Sequence, residues 1–403
     1  MKRILKRVIF NLIDRQKFYK YRRLLAKLLS FKKNIVTKFE IDSYGDNESD
    51  TFFGYYDISP FQNDKLAYIS VKKDEKEADI IIRDIETGKE KTVGATSAWN
   101  WQQGSRLRWV PNRQDHVIYN DFENNQFVTK IVDISSGEIA VKQWPFYDID
   151  YTGRIGITLD FLRLGVMRPG YGYTNLPYVE PQSLNDEGIT IVDLLEETTK
   201  KVITYELISK VMGQNENTNN YENSYINHLS FSPSGNKFLF FWIQIAENNI
   251  HKANLLVYDI EKAELTVLEK ELSVSHYDWI DDESIVVTAY DKNRTCRYYI
   301  YNVNGERQDF MHDILVGDGH PTWIGNGKVI TDTYVDKKGY QKVLLIDING
   351  EKVDQLVDIY STHKHVGERR CDLHPRVDAE TEHICFDADV NGHRKLYLLK
   401  GWE

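Results

Sequence analysis

Cysteine is scarce in this sequence, which has only Cys296, Cys371 and Cys385 among its 403 residues. Three cysteines are too few for a disulfide framework, and an odd number would leave one unpaired. We therefore expect a reducing compartment or another role for a thiol. Long hydrophobic runs are also missing, because no stretch reaches the roughly 20 apolar residues of a membrane span. The apolar run at 7–13 is short and flanked by charge, and no secretory signal is visible. We therefore expect a protein that is cytoplasmic or peripheral at the inner face of the membrane.

Several catalytic motifs are absent as well. The sequence has no P-loop, no G-x-S-x-G nucleophile elbow and no H-E-x-x-H zinc motif. Acidic residues outnumber basic ones outside the N-terminal segment: the net charge is −10, yet residues 1–33 carry about +11, which leaves about −21 for the remainder. An acidic body of this kind argues against nucleic acid as a partner.

Residues 1–33 have the pattern of a basic amphipathic helix, with Ile4, Leu5, Val8 and Ile9 on one face. One interpretation is an interfacial anchor that contacts anionic lipid peripherally. The other is a helix packed on the main domain, with its Lys and Arg side chains in solvent.

From residue 51 onwards a strand pattern repeats at intervals of 43 to 66 residues. Each copy is an apolar strand that ends in an acidic residue or Asn, followed by a turn and a second strand. Copies end at Asp84, Asp133, Asp193, Asp259, Asn302 and Asp347, and a truncated seventh lies at 395–399. The spacing predicts an all-β fold, a seven-bladed β-propeller spanning residues 34–403. The last unit has only three strands, so we expect residues 34–41 to supply its fourth and close the ring.

A second register recurs at the first strand of every unit. Three residues before the first large apolar residue stand Tyr55, Arg106, Tyr147, His228, His276, His320 and His374. First strands line the central channel of a propeller and all start on one face. One mouth of the channel should therefore carry this ring of side chains.

The longest insertion, 162–187, should lie over the same mouth, since it follows the second strand of the third blade. It is rich in aromatic residues and punctuated by glycine. Aromatic rings stack on sugar faces, and Arg pairs with carboxylates in a fork. We therefore expect an acidic polysaccharide or oligosaccharide to bind there, in contact with Tyr55, Arg106, Arg168, Tyr171, Tyr173 and His228.

The histidines of this mouth also have the chemistry of metal ligands. Imidazoles that converge on an axis beside Cys371 or Asp372 suit a divalent metal, and thiolate favours zinc whereas carboxylate admits manganese. We predict a divalent metal, zinc in preference to manganese, with ligands His276, His320, Cys371 and His374. The alternative for each His is structural, a hydrogen bond to the backbone of a neighbouring blade.

The later blades resemble the oligogalacturonate lyases, which are TolB-like propeller polysaccharide lyases. The segment SHYDW at 275–279 resembles the one that bears their catalytic His, and GH at 319–320 and DLHP at 372–375 resemble their metal-ligand segments. The sequence departs from that pattern at Asp372, where those lyases have His, and near Arg369, where they have Gln.

A broader resemblance, over residues 52 to 400, is to the ulvan lyases. It includes the segments GYYDISP, WNWQQGSRLRW, LDFLRLGVMRPGYGY, GDGHPTW and CDLHPRV. In those lyases a Tyr and an Arg sixteen residues later carry catalysis, and Tyr147 and Arg163 have that spacing. Two His that also contribute there match Asn100 and Asn120, which implies a loss of activity or a changed substrate.

These resemblances imply β-elimination from a glycan that contains uronic acid. Arg163 would neutralise the C5 carboxylate, Tyr147 would remove the C5 proton, and Arg106 would hold Tyr147 as phenolate. His276 is the alternative base. The competing interpretation makes Tyr147 a channel-lining aromatic and Arg163 part of a blade-to-blade ion pair.

A different class of function is a non-catalytic glycan-binding or assembly protein at the cytoplasmic membrane. It would build or trim the cell's own surface polysaccharide, such as a capsule, and the basic N-terminal segment with no secretion signal favours it. A generic protein-interaction propeller predicts no clustered chemistry at the mouth.

Overall fold

The computed structural model describes residues 34–213, 221–246, 249–309, 317–362, 364–378 and 383–402. Within these ranges the chain forms seven antiparallel sheets that pack as the blades of one β-propeller, which confirms the predicted fold class. The predicted helix over residues 1–33, and any membrane contact it makes, lie outside the described residues. Neither of the two described α-helices has the length and apolar character needed to cross a membrane.

The first three blades follow two short strands, β1 (Ile35–Val36) and β2 (Glu40–Tyr44), which join later blades. Blade 1 contains β3 (Ser49–Phe52), β4 (Phe61–Gln62), β5 (Lys65–Lys72), β6 (Ala78–Asp84) and β7 (Glu90–Thr96). Blade 2 contains β8 (Arg108–Trp109), β9 (His116–Glu123), β10 (Gln126–Asp133) and β11 (Ile139–Lys142). Blade 3 contains β12 (Asp148–Ile149), β13 (Ile155–Thr158), β14 (Gly188–Asp193) and β15 (Thr198–Thr204).

The remaining four blades have the same antiparallel order. Blade 4 contains β16 (Ser224–Phe231), β17 (Lys237–Ile245), β18 (His251–Asp259) and β19 (Glu264–Glu269). Blade 5 contains β20 (Ser273–Trp279), β21 (Ser284–Tyr290), β22 (Cys296–Asn302) and β23 (Arg307–Asp309). Blade 6 contains β24 (Thr322–Trp323), β25 (Lys328–Asp332), β26 (Tyr340–Asp347) and β27 (Lys352–Tyr360), and blade 7 contains β28 (Arg376–Val377), β29 (Ile384–Val390) and β30 (His393–Lys400).

The hydrophobic core lies between the blades, because each sheet is buried on both faces by its neighbours. The second strand of blade 4 shows this most clearly: Phe240, Phe241 and Trp242 follow one another, and each is at most 1% exposed. Continuous apolar runs of this kind are typical of strands covered on both faces. Full burial of one large apolar side chain contributes about 1.5–3 kcal/mol relative to leaving it exposed.

The ring closes where the two ends of the described chain pair, but the closing strand lies further along than predicted. Strand β2 pairs with β30 from Glu40 opposite Lys400 to Tyr44 opposite Leu396. Strand β1 instead pairs with β27 of blade 6. The predicted bounds of 34–41 are therefore wrong, although Glu40 and Ile41 of that range do pair with the last blade. Between the two strands Thr37 Oγ1 donates to the Leu356 carbonyl of blade 6.

The two α-helices belong to blades 3 and 4. Helix α1 (Phe161–Met167) opens the long insertion, and helix α2 (Tyr205–Val211) follows β15. The carboxylate of Asp160 starts α1 by accepting hydrogen bonds from the backbone N–H groups of Leu162 and Arg163, an N-cap arrangement. This short helix carries the loop that follows it over the mouth of the channel.

Candidate functional site

Four histidines and one tyrosine form a closed ring of aromatic contacts at one mouth of the channel. Ring centroids are 6.3 Å apart for His228 and His276, 4.0 Å for His276 and His320, and 4.3 Å for His320 and His374. Tyr55 closes the ring, at 4.7 Å from His374 and 4.8 Å from His228. The register seen in the sequence therefore corresponds to a cluster in space.

The strands that carry His228 and His276 contain β-bulges, which direct these side chains towards the ring. The pairing of β16 with β17 shifts between Asn227 and Ser230, and that of β20 with β21 shifts between Val274 and His276. Such bulges are frequent next to active sites, where they redirect a side chain. His228 also has a φ of 54°, in the left-handed region that non-glycine residues rarely adopt. That conformation costs about 1–3 kcal/mol, which the surrounding blades offset.

Two histidines of the ring form a candidate metal centre with a neighbouring carboxylate. One ligand atom each of His320, Asp372 and His374 lies within 4.8 Å of the others, and all three residues are buried. Among the described residues, nothing donates to or accepts from the buried Nε2 atoms of His320 and His374. Unpartnered buried polar atoms are rare, and two imidazoles with a carboxylate are a good ligand set for a divalent cation.

The second nitrogen of each imidazole is already occupied, which fixes the ring orientations. Nδ1 of His320 lies 2.8 Å from Asp332 Oδ1, and Nδ1 of His374 lies 2.8 Å from the Gly54 carbonyl oxygen. Hydrogen bonds of this kind are the usual support for metal-binding histidines, since they select the tautomer with a free Nε2. The residues present therefore fit a divalent metal.

Cys371 does not join this group, contrary to the prediction. Its Sγ atom lies 3.9 Å from the carbonyl oxygen of Asp372, and it is not among the three converging ligands. Burial raises the pKa of the Cys371 thiol well above its usual value, so the thiolate that zinc would prefer is disfavoured. Asp372 supplies the third ligand instead, and His276 also lies outside the three-ligand group. The preference for zinc loses its basis, because it rested on the thiolate.

A pocket of about 190 Å³ opens beside the metal-ligand candidates. We call it the histidine pocket. Its lining includes Arg168, Tyr171, Asn227, His228, His276, Tyr334 and Arg370. Of the predicted substrate-binding residues, Arg168, Tyr171 and His228 lie here, together with the predicted catalytic His276.

His276 is held as a potential base by a buried carboxylate. Its Nδ1 atom lies 3.2 Å from Asp318 Oδ1, and Asp318 also accepts from the hydroxyl groups of Ser275 at 2.8 Å and Tyr290 at 2.9 Å. Burial opposes ionisation of Asp318, but the His276 ring and these donors outweigh it, and its pKa falls to about 2. Burial and the nearby His320 ring lower the pKa of His276 itself. The arrangement favours a neutral imidazole with Nε2 free as an acceptor.

Two arginines give the histidine pocket its positive charge. Arg370 Nε donates to Asp372 Oδ2 at 2.7 Å, and its Nη2 donates to the Tyr171 hydroxyl at 2.6 Å. The Arg168 guanidinium lies over the Tyr171 ring, 5.3 Å from its centroid. Among the described residues no carboxylate forms an ion pair with Arg168, so its charge is available to a ligand.

Tyr147 does not occupy the position of a base. It is fully buried, and its hydroxyl donates to Asn227 Oδ1 at 2.9 Å and accepts from Gln103 Nε2 and the His228 N–H. Burial raises the pKa of Tyr147 far above its usual range, although Arg106 lies over the ring at 4.2 Å. The predicted phenolate is therefore disfavoured, because desolvation exceeds the attraction of the guanidinium.

Arg163 is held between the start of blade 4 and the end of the insertion in blade 3. Its guanidinium donates to the carbonyl oxygens of Tyr221 and Ser224 and lies 3.3 Å from the Glu187 carboxylate. It has no free edge for a substrate carboxylate. The ion pair lies within blade 3 rather than between two blades as the alternative expected, and this geometry disfavours Arg163 as the catalytic partner of Tyr147.

The other predicted contacts lie outside the histidine pocket and are held by groups of the protein itself. Asn120 is fully buried and binds the backbone of Phe146 and the Tyr173 hydroxyl. Arg106 pairs with Asp57 at 2.8 Å. Asn100 donates to the Tyr171 carbonyl and accepts from two backbone N–H groups, and Tyr55 packs beneath the histidines. None of these residues, nor Tyr173, lines the histidine pocket.

Three chemically important residues were not assigned a role from the sequence. Asp318 and Asp332 hold the imidazoles, and Arg370 supplies a charge to the pocket. Asp318 stands two residues before His320, but its partner is the histidine of the preceding blade. A local motif could not have revealed that pairing.

The structure resembles solved propeller enzymes along almost the whole chain. An oligogalacturonate lyase in complex with manganese matches with a TM-score of 0.64 and 13% identity, over 92% of this chain and 98% of the other. The oligogalacturonate lyase of Vibrio parahaemolyticus matches with a TM-score of 0.62 and 12% identity, over the same shares. This chain has the fold of the oligogalacturonate lyases. At this identity the likeness shows the fold alone.

Other comparisons are less specific. The tricorn protease matches 88% of this chain but only 34% of its own, with a TM-score of 0.53 and 11% identity. No family model and no curated protein matches the sequence.

Proposed function

We propose that the protein is a lyase that cleaves an acidic oligosaccharide by β-elimination, with His276 as the base. The observation that carries this proposal is one pocket lined by His276, Arg168 and Arg370, in which Asp318 holds the His276 ring and Arg370 is hydrogen-bonded to Asp372 of the metal-ligand group. The fold shared with oligogalacturonate lyases supports the same reaction class.

The reaction follows from the chemistry of a uronic acid. Arg168 and Arg370 bind the C5 carboxylate, which makes the C5 proton more acidic because the developing negative charge is neutralised. His276 Nε2 removes that proton, while Asp318 orients the ring and stabilises the imidazolium. The electron pair forms the C4–C5 double bond, the C4–O bond breaks, and the departing oxygen is protonated by water.

A divalent metal fits the group formed by His320, Asp372 and His374. It would act as a Lewis acid on the substrate carboxylate, and manganese or zinc would both be accepted by two imidazoles and a carboxylate. Three protein ligands leave positions for solvent or substrate, as in catalytic metal sites.

The test is the ultraviolet absorbance of the C4–C5 double bond during incubation with a panel of uronic-acid oligosaccharides. We expect product from the wild type and a loss of about 10²–10⁴-fold in kcat for His276→Gln, the usual range for removal of a general base. The matched control is His116→Gln, a histidine on β9 outside the pocket. Glycan binding without product on any glycan would instead favour a binding or assembly protein and would rule out the lyase reaction.

A further inference from the structure

A second pocket, of about 290 Å³, lies on the far side of the loop that borders the histidine pocket. We call it the tryptophan pocket. Its lining includes Glu75, Lys76, Trp99, Trp101, Asn175 and Glu368. None of these residues has a role in the proposed reaction.

The two pockets share their wall. Arg168 and Tyr171 line the histidine pocket, whereas Gly170 and Gly172 line the tryptophan pocket. The wall is fixed in place: Gly170 has a φ of 93°, and a Cβ there would lie 3.0 Å from the Glu368 carbonyl oxygen. A Cβ at Gly172 would clash with the Gly165 N and the Phe161 carbonyl oxygen. This close packing fixes the distance and orientation between the two pockets.

Trp99 is placed as a platform for an apolar ring face. Its ring meets Trp101 edge-on at 5.1 Å and Phe52 edge-on at 6.4 Å, while Trp101 stacks on Phe52 at 5.7 Å. Trp101 is only 7% exposed, but Trp99 is half-buried and reaches the pocket. A fixed, partly exposed indole offers a large contact area at little cost in conformational entropy.

The polar groups of the tryptophan pocket suit hydroxyl groups rather than a carboxylate. Asn175 donates one N–H to the Ser97 carbonyl at 2.9 Å, which leaves Oδ1 to accept from a ligand. The charged lining is Glu75, which pairs with Arg369 at 2.6 Å, together with Glu368 and Lys76. With Arg369 counted, two carboxylates stand beside two cations, so the tryptophan pocket offers an acidic sugar no net positive charge, in contrast with the two arginines of the histidine pocket.

We propose that the tryptophan pocket is a second sugar subsite and that it binds a neutral residue of the glycan whose uronic acid occupies the histidine pocket. The substrate is then a mixed glycan, in which uronic acid is joined to neutral sugar, rather than a uniform polyuronate. This inference rests on the proposed function for the occupant of the histidine pocket.

The experiment is calorimetric titration with two kinds of probe: tetragalacturonate, and a panel of tetrasaccharides in which a uronic acid alternates with a neutral sugar. The variants are Trp99→Ala, Asn175→Ala and the control Trp144→Ala, since Trp144 is 39% exposed on another part of the surface. We expect a mixed tetrasaccharide to bind more tightly than tetragalacturonate. Trp99→Ala should weaken only the mixed one, by about tenfold, as loss of an aromatic contact implies.

Asn175→Ala leaves the tryptophans in place and should weaken binding of the same tetrasaccharide severalfold. It therefore tests the subsite even if Trp99→Ala fails to fold. Equal binding by these variants and Trp144→Ala would overturn the subsite, as would the absence of any binding. Tetragalacturonate that bound as tightly as every mixed probe would overturn the neutral-sugar assignment. If binding depends on Trp99 but no double bond forms, the subsite stands and the lyase reaction is ruled out. If product forms but binding does not depend on Trp99, the lyase reaction stands and the subsite is ruled out.

Discussion

Arg370 and Asp372 are joined by a hydrogen bond of 2.7 Å between Nε and Oδ2. Asp372 is the carboxylate of the candidate metal centre, and Arg370 lines the pocket proposed for the substrate carboxylate. The two proposed binding functions therefore meet at one carboxylate. A carboxylate has two oxygens, so Asp372 can accept from Arg370 and still offer an oxygen to a cation.

Metal content should depend on Asp372 and not on its neighbour Cys371. We expect Asp372→Asn to lower the bound manganese or zinc at least tenfold after dialysis, because the neutral amide is a weaker ligand than a carboxylate. Cys371→Ala is the control adjacent in sequence and should retain the metal. Elemental analysis of the dialysed proteins measures both. Loss of metal from Cys371→Ala alone would restore the thiolate ligand and with it the preference for zinc.

Loss of Arg370 should weaken substrate binding much more than it weakens metal binding. Arg370→Ala removes a guanidinium from the pocket, and we expect KM for an acidic oligosaccharide to rise at least tenfold, since a charge-assisted contact of about 1.5–3 kcal/mol is lost. The metal content should stay within twofold, because Asp372 keeps its free oxygen. A KM that did not change would remove Arg370 from the carboxylate site.

Tyr147→Phe should act on stability rather than on catalysis. The phenol hydroxyl satisfies Asn227, Gln103 and the His228 N–H, and its loss leaves buried polar groups unpaired. We expect the free energy of unfolding in urea to fall by about 1–3 kcal/mol, with kcat of the folded protein nearly unchanged. Tyr151→Phe is the control, because Tyr151 is 55% exposed. A selective loss of kcat would return Tyr147 to the role of base.

Arg163 should also prove structural. Arg163→Met removes the partner of Glu187 and leaves a buried carboxylate uncompensated, so we expect a loss of about 3–5 kcal/mol in the free energy of unfolding. The double variant with Glu187→Gln should recover part of that loss, because no unpaired charge remains. If the single variant were as stable as the wild type but inactive, Arg163 would have to act on the substrate.

The sequence was sufficient to predict the ring of histidines because a propeller repeats one unit around an axis. Positions that are equivalent in the repeat become neighbours in space, so the repeat alone places His276, His320 and His374 together. Repetition also specified seven blades and a strand contributed by the N-terminal side. The exact bounds of the closing strand were wrong, because β1 pairs with blade 6 and Thr37 is hydrogen-bonded to Leu356 of that blade.

Side-chain direction was the part that sequence spacing could not determine. Tyr147 and Arg163 have the predicted separation of sixteen residues, but Asp160 starts α1 at a point that turns Arg163 towards Ser224. The His276–Asp318 pair joins two blades through residues 42 positions apart. For residues outside the repeated position, such as Asp318, contacts between blades follow from packing, and the periodic pattern does not specify them.

Another histidine, His365, gives a prediction about stability and pH. Its Nδ1 lies 3.0 Å from Asp389 and its Nε2 lies 3.4 Å from Asp50, and the side chain is 8% exposed. Burial acts against protonation, but the two carboxylates outweigh it and raise the pKa of His365 to about 9.

The pKa of His365 in the folded protein lies above the ordinary value of 6.5. The attraction between protonated His365 and its two carboxylates therefore stabilises the fold fully below pH 6.5 and is lost as the pH rises through about 9. The contribution is on the order of 3 kcal/mol at low pH. His365→Gln should therefore lower the free energy of unfolding in urea at pH 6 but have little effect once the pH exceeds about 9. His116→Gln is the control and should show no such trend. A penalty for His365→Gln that stayed constant across the window would mean that His365 contributes by packing and not by its charge.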